Sequence, residues 1–309
     1  PISDATESID AQTLIDDPVR TNTARDDSSD AHTHHQFFLG TKLHIPYTHT
    51  TLVPRPRLLE RLNKEVSRRI TLVTAPAGFG KTALLSYWLS SVEQSTAWVS
   101  LDVRDNDVVR FLTYVIAALE NAHVPIGEST LTLLQSPQMP PIELILTALL
   151  HDIDATPGPL LLIFDDYHVI TSQDVHDVLL FLFDHLPLHV HCAVASRSDL
   201  PLPLSRWRVR RLLTEIGTED LRFTYEEASL FLSQIMGLAL SQEEIAVLET
   251  RTEGWVAGLQ LAALSLQGRS DSTRFIQEFA GTNRYIADYL VEEVFEQLPM
   301  DVQNFLLCT

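Results

Sequence analysis

The chain has 309 residues, 45% hydrophobic and 20% charged, enough for one nucleotide-sized α/β domain and one or two smaller units. Its 22 basic against 41 acidic side chains give a formal charge of -19, which repels a phosphate backbone and argues against direct DNA or RNA binding by this segment. Apolar runs break well before the roughly 20 residues of a membrane span, so no membrane association is expected.

Cys192 and Cys308 lie too far apart for a disulfide framework or a metal-ligand spacing, which fits a reducing, cytoplasmic setting. The chain opens without Met and without a basic stretch leading into an apolar one, so no secretory signal is expected. Residues 1–35 are rich in Asp, Ser and Thr and poor in large apolar side chains, and read as a disordered tail. His32, His34 and His35 in that tail lack the partners that would complete a metal site.

From 36 to 222 the pattern is that of an α/β domain. Leu58 to Val66 reads as a helix, and Ile70 to Ala75 as a β-branched strand ended by Pro76, Gly78 and Gly80. A helix from Lys81 to Ser90, a strand from Thr96 to Leu101 and an amphipathic helix from Val108 to Ala122 follow. After a Pro- and Ser-containing connector come a helix from Ile142 to Ile153, a buried strand from Leu160 to Asp165 and a helix from Val175 to Leu186. Strands at Val190 to Ser196 and Leu212 to Ile216 complete an alternation that predicts a parallel sheet with helices on both faces.

Beyond Phe223 the strands stop. Tyr225 to Met236, Gln242 to Thr250, Trp255 to Leu266 and Thr273 to Phe279 read as helices, placing a helical domain at 223–281. Tyr285 to Leu298 begins a further unit, 282–309, which reads as cut short.

Ala75-Pro76-Ala77-Gly78-Phe79-Gly80-Lys81-Thr82, with Ala83 beyond it, fits the phosphate-loop pattern except that Ala75 replaces its first glycine. A strand delivers the loop and a helix leaves it, so backbone N–H groups and the helix dipole converge on one anionic position. Gly78 and Gly80 allow the turn, Lys81 reaches the β- and γ-phosphates, and the Thr82 hydroxyl is suited to Mg²⁺. Leu160-Leu161-Leu162-Ile163-Phe164-Asp165-Asp166 is the matching second element: Asp165 is the acid that holds magnesium through water. Strand alternation turns Asp166 toward the γ-phosphate to polarise an attacking water, unless it is a plain loop or helix-start carboxylate. Arg197, at the end of the next strand, is either a γ-phosphate sensor or a surface arginine paired with Asp199. No Asn-Lys-x-Asp stretch reads guanine, which leaves ATP and ADP as the nucleotides.

These residues together resemble the signal-transduction ATPases with numerous domains (the STAND class), and within it the MalT-like regulators of the LuxR type. The resemblance rests on Thr41-Lys42-Leu43-His44, Leu52-Val53-Pro54-Arg55-Pro56-Arg57-Leu58, the phosphate loop with its Ala75, Trp98-Val99-Ser100-Leu101-Asp102 and Asp165-Asp166-Tyr167-His168. It continues through Ser196-Arg197, Glu253-Gly254-Trp255-Val256-Ala257-Gly258-Leu259-Gln260, Asn283-Arg284-Tyr285 and Tyr289-Leu290-Val291-Glu292-Glu293.

The resemblance implies a nucleotide-binding domain, a helical domain and the start of a winged-helix domain at 282–309. It implies an ADP-bound resting monomer that inducer and ATP convert to a self-associating form, with slow hydrolysis resetting the switch. It implies that Val53 and Arg55 contact the adenine and that the Gly254-Trp255 turn approaches the nucleotide. The inducer would act on sensor domains outside this chain, and DNA would be bound by the full-length parent. Two other readings share the motifs. One is a ring-forming ATPase motor, which needs an arginine presented between neighbours, with Arg206, Arg208, Arg210 and Arg211 as candidates unless they decorate a strand edge. The other is a non-catalytic module that keeps nucleotide as structure.

Overall fold

The computed structural model describes residues 39–46, 52–64 and 68–268, together with positions 275, 276, 289, 291 and 293. The tail at 1–35, most of the helices expected at Thr273–Phe279 and Tyr285–Leu298, the Asn283-Arg284 pair and the remainder of the winged-helix start lie outside the described residues.

Five strands form one parallel sheet: β1 (Ile70–Thr74), β2 (Ser95–Ser100), β3 (Leu160–Asp165), β4 (Val190–Ser196) and β5 (Leu213–Ile216), in the order β2-β3-β4-β1-β5. The two continuous apolar runs, β3 and β4, are buried at every position and occupy the middle. Edge strands β2 and β5 each keep exposed positions. This is the distribution required when helices cover both faces of a parallel sheet and only its margins meet water.

Because β4 lies between β1 and β3, three strand ends stand side by side. Thr74 is level with Ser196, and Phe164 with Val194. Past the strand, Ala75 N–H still donates to Ser196 O at 3.2 Å. The carboxyl-end edge therefore gathers the glycine loop, the Asp165-Asp166 pair and Ser196-Arg197, where ligands of open α/β sheets sit.

The helices of this region are α1 (Pro56–Lys64), α2 (Lys81–Ser90), α3 (Val108–Asn121), α4 (Glu128–Leu134), α5 (Ile142–Asp154), α6 (Gln173–His185), α7 (Ser205–Val209) and α8 (Thr218–Leu221). Two differ from the sequence reading. The connector before α5 contains α4, whose start is held by Asp152 Oδ2, which accepts from Gly127 N–H at 2.9 Å and Thr130 Oγ1 at 2.6 Å. Arg206 and Arg208 lie on α7 and not on a strand edge.

One core cluster joins α1, β1 and α2 through Leu58, Leu62, Val73, Leu84, Leu85 and Trp88. A second gathers Val53 with Phe223, Leu232, Leu248, Leu259 and Ala263. It is built by α9 (Tyr225–Leu230), a π-helical segment at Phe231–Ile235, α10 (Gln242–Thr252) and α11 (Val256–Leu266). The π segment takes up the last part of what reads in sequence as one helix to Met236. Helices α9 and α10 start with reciprocal caps, Thr224 with Glu227 and Ser241 with Glu244.

A buried ion cluster fixes the chain's entry to the sheet. Lys42, in a 3₁₀ turn at Gly40–Leu43, pairs with fully buried Asp105 and, at 3.2 Å, with Asp102. Arg110 Nε donates to Asp105 Oδ1 at 3.0 Å, and the Lys42 ammonium lies 4.2 Å from the Tyr114 ring centroid.

Candidate functional site

The loop between β1 and α2 turns on two glycines, both at φ +77°, in the left-handed region that favours glycine. Gly80 is followed directly by the helical residues Lys81 and Thr82. Four successive loop carbonyls are already accepting hydrogen bonds. Lys81 Nζ donates to Ala75 O (2.8 Å) and Pro76 O (3.0 Å), Trp255 Nε1 to Ala77 O (3.0 Å), and Ala257 N–H to Gly78 O (3.0 Å). The backbone N–H groups of Ala77, Gly78, Phe79 and Gly80 donate to no other described residue. The carbonyls are satisfied, the donors are not, and the positive end of α2 stands behind them; such an array fits an anion with several oxygens.

Thr82 and Asp165 meet as expected of a metal-holding pair: Thr82 Oγ1 donates to Asp165 Oδ2 at 2.8 Å. Burial, and then the neighbouring Asp166 charge, push the Asp165 carboxyl up to about 6. Burial, and then Arg197, bring the Lys81 ammonium down to about 8. A desolvated ammonium and a desolvated carboxylate, each held away from its ordinary range, suit a site completed by a polyphosphate and a divalent cation.

Asp166 is placed otherwise than alternation suggests. The strand stops at Asp165, and Asp166 adopts φ 57°, ψ 36°, as the first residue of a turn into the 3₁₀ segment Tyr167–Val169. Its N–H donates to Asp165 Oδ1 at 3.0 Å, and its side chain makes no cap. Arg197 is not paired with Asp199. It grips Glu293, with Nη1 donating to the Glu293 carbonyl and Nη2 to Oε2, each at 2.9 Å.

Next to the loop lies a cavity of about 480 Å³ lined by Val53, Arg55, Gly78, Gly80, Ala83, Tyr87, Phe223 and Tyr289, among others. Its size and mostly apolar wall suit a planar heterocycle. Arg55 is 6% exposed; its Nη2 donates to Leu221 O (2.8 Å) and Arg222 O (2.9 Å) and pairs with Glu227 at 3.2 Å. Burial, partly offset by Glu227, lowers its pKa. The buried Arg55 Nε has no hydrogen-bond partner among the described residues.

Phe79 packs its ring against the core cluster beneath the loop. Gly254 does not line the cavity: at φ 68° it backs onto Phe223, whose N–H donates to Gly254 O at 2.9 Å. Its neighbour Trp255 reaches the loop instead. The motor candidates Arg206 and Arg208 are engaged within the chain, with Asp184 at 2.6 Å and Glu215 at 2.6 Å. Sequence reading missed the Ala257 and Glu293 contacts, because a main-chain N–H and one of several glutamates carry no local signal of a partner so far along the chain.

Among the described residues no helix is long and apolar enough to cross a membrane, and no cluster of His, Cys, Asp and Glu has metal-binding form. No family model matches the chain. It is 35% identical over 271 residues to the HTH-type transcriptional regulator MalT of Yersinia enterocolitica, a stretch that covers 87% of this chain and 30% of that protein. The MalT of Yersinia pestis strain Pestoides F matches with the same figures. The chain thus spans about a third of the length of the curated relatives it matches. Among solved structures, a signal-transduction ATPase with numerous domains carrying a tetratricopeptide repeat sensor, from Pyrococcus horikoshii, superposes with a TM-score of 0.52 at 17% identity, covering 82% of this chain and 34% of that one. Sheet order, loop and relatives agree: over this stretch the chain is similar in sequence to MalT and has a P-loop α/β fold like that of the Pyrococcus horikoshii structure.

Proposed function

We propose that this region is an adenine-nucleotide switch of a transcriptional regulator, resting with ADP, driven by ATP toward self-association and reset by slow hydrolysis. The observation that carries it is the set of four unengaged loop N–H groups at the start of α2, opening beside a mostly apolar cavity that Arg55 helps to line. In this reading the loop from Ala77 to Thr82 takes the phosphates, and Val53, Ala83 and Arg55 take the base. Lys81 leaves the Ala75 and Pro76 carbonyls to meet the β- and γ-oxygens. Thr82 would hold Mg²⁺ directly and Asp165 through water, and the cation would neutralise charge on those oxygens.

Asp166 orients and deprotonates the attacking water, and Arg197 binds the γ-phosphate. To do so Arg197 has to let go of Glu293, so a third phosphate and the Glu293 segment compete for one guanidinium. That competition supplies the differential contact a switch requires, since a ligand with equal affinity for two states shifts neither. Residues 36–222 form the nucleotide-binding domain in this account, 223–281 the helical domain and 282–309 the start of a winged helix. An inducer acts on sensor domains beyond this stretch, and DNA is bound elsewhere in the parent protein.

The test is to denature purified protein and identify the nucleotide released. Carried-over ADP is the expected result, with its loss in Lys81→Ala and intact binding without cleavage in Asp166→Asn. Full ADP retention in Lys81→Ala would refute the site.

A further inference from the structure

Two groups beside the phosphate loop are left unheld. The Asp166 carboxylate, 44% exposed, accepts no hydrogen bond from another described residue. The His168 side chain is 14% exposed, and its Nδ1 is buried with no hydrogen-bond partner among the described residues. The two atoms face each other: His168 Nδ1 lies 3.8 Å from Asp166 Oδ1. A buried ring nitrogen without a partner is costly, and so is a general base free to rotate, because proton transfer depends on its position.

The turn that creates this pairing is itself unusual. Asp166 takes a left-handed backbone conformation, φ 57°, uncommon outside glycine although aspartate tolerates it better than most. It brings residues 166 and 168 together, within the electrostatic reach of Lys81 and Arg197.

We propose that His168 is a positioning residue: its Nδ1–H donates to the Asp166 carboxylate and fixes it toward the γ-phosphate. The present 3.8 Å separation has to close by about 1 Å to give a hydrogen bond of about 2.8 Å. Burial holds the imidazole below its ordinary range, Asp166 opposes that shift, and Arg197 and Lys81 reinforce it. The ring is therefore neutral near pH 7, with one N–H to give and no charge to cancel that of Asp166. The proposal rests on the nucleotide reading of the site. It adds to it a group that acts through Asp166 and touches no phosphate.

Selective ¹⁵N labelling of histidine, with the His168 signals assigned by their loss in His168→Gln, reads the tautomer directly. In protein loaded with magnesium and ADP, His168 should be protonated at Nδ1, and Asp166→Ala should shift its resonances. Single-turnover cleavage of ATP should fall about 10- to 100-fold in His168→Ala, with nucleotide affinity by calorimetry unchanged. His168→Asn, whose amide nitrogen lies near the place of Nδ1, should restore most of the rate.

A His168 tautomer protonated only at Nε2, or one indifferent to Asp166→Ala, would overturn the proposal. So would cleavage unchanged in His168→Ala. In each of those cases nucleotide uptake persists and the switch reading stands. Absence of uptake by the wild-type protein removes both.

Discussion

Gly78 and Gly80 share one backbone geometry but not one environment, and substituting each by alanine separates the turn from what docks on it. Both sit at φ +77°, so either alanine incurs a left-handed penalty of about 1–2 kcal/mol. A Cβ at Gly80 meets nothing within 4 Å. At Gly78 it would stand 2.5 Å from Ala257 Cβ, 2.7 Å from Trp255 Nε1 and 2.9 Å from the Tyr289 hydroxyl. Two responses are available. The core can distort, at roughly 1–3 kcal/mol, or the start of α11 can lift away and lose the Trp255 and Ala257 hydrogen bonds, about 1 kcal/mol each.

The cheaper response sets the cost, so Gly78→Ala should lose about 1–2 kcal/mol more than Gly80→Ala in urea unfolding, with a correspondingly lower Tm. Which response wins is visible in fluorescence. Of the four tryptophans, Trp88, Trp98 and Trp207 are at most 1% exposed, so added acrylamide quenching reports Trp255. Quenching that rises in Gly78→Ala and not in Gly80→Ala signals lift-off. Equal stability losses with equal quenching would mean that Ala257 and Trp255 do not rest on the loop.

Two further outcomes follow from buried charge. Lys42→Met strands fully buried Asp105 with Arg110 as its remaining cation, and should cost roughly 3–5 kcal/mol in denaturant unfolding; a loss under 1 kcal/mol would show that the cluster is solvated. Lys81 has a folded pKa lowered to about 8 against an ordinary value of about 10.4, so the fold disfavours its charged form. Its contribution to stability is present above the unfolded value and is lost as pH falls through about 8. Nucleotide-free protein should therefore gain stability from Lys81 as pH rises from about 8 to about 10, and Lys81→Met should remove that gain; parallel pH profiles of the two proteins would contradict it.

The sheet and the loop were legible because their signals are local. Leu160–Asp165 and Val190–Ser196 are continuous apolar runs, and both came out as strands with the bounds read from sequence, since a strand buried on both faces allows no polar interruption. The glycines, Lys81 and Thr82 follow one another in the chain, so their spacing alone carries the chemistry. The conformation of Asp166 was not legible: alternation carries the strand geometry one residue past its end at Asp165, and the backbone there turns left-handed instead. The helix at Glu128–Leu134 was missed because its seven residues depend on a cap from Asp152, a carboxylate in another helix. Arg55 was reached through resemblance and not through pattern, because its partners, Leu221, Arg222 and Glu227, are more than 160 residues away.

What sequence could not display is that the loop has two faces. A turn whose N–H groups converge on an anion has only its carbonyls left to offer to the rest of the protein. Here those carbonyls are divided between Lys81 on one side and Trp255 with Ala257 on the other. In the proposed switch, movement of Lys81 from carbonyl to phosphate would change the peptides at Ala75 and Pro76, and the next two peptides in the chain are the ones held by Trp255 and Ala257. On that proposal a signal between nucleotide and helical region would need no long path of side chains. Successive peptide planes of one short loop are shared by both, and Gly78 lies between them, as both the hinge of the turn and the seat of Ala257.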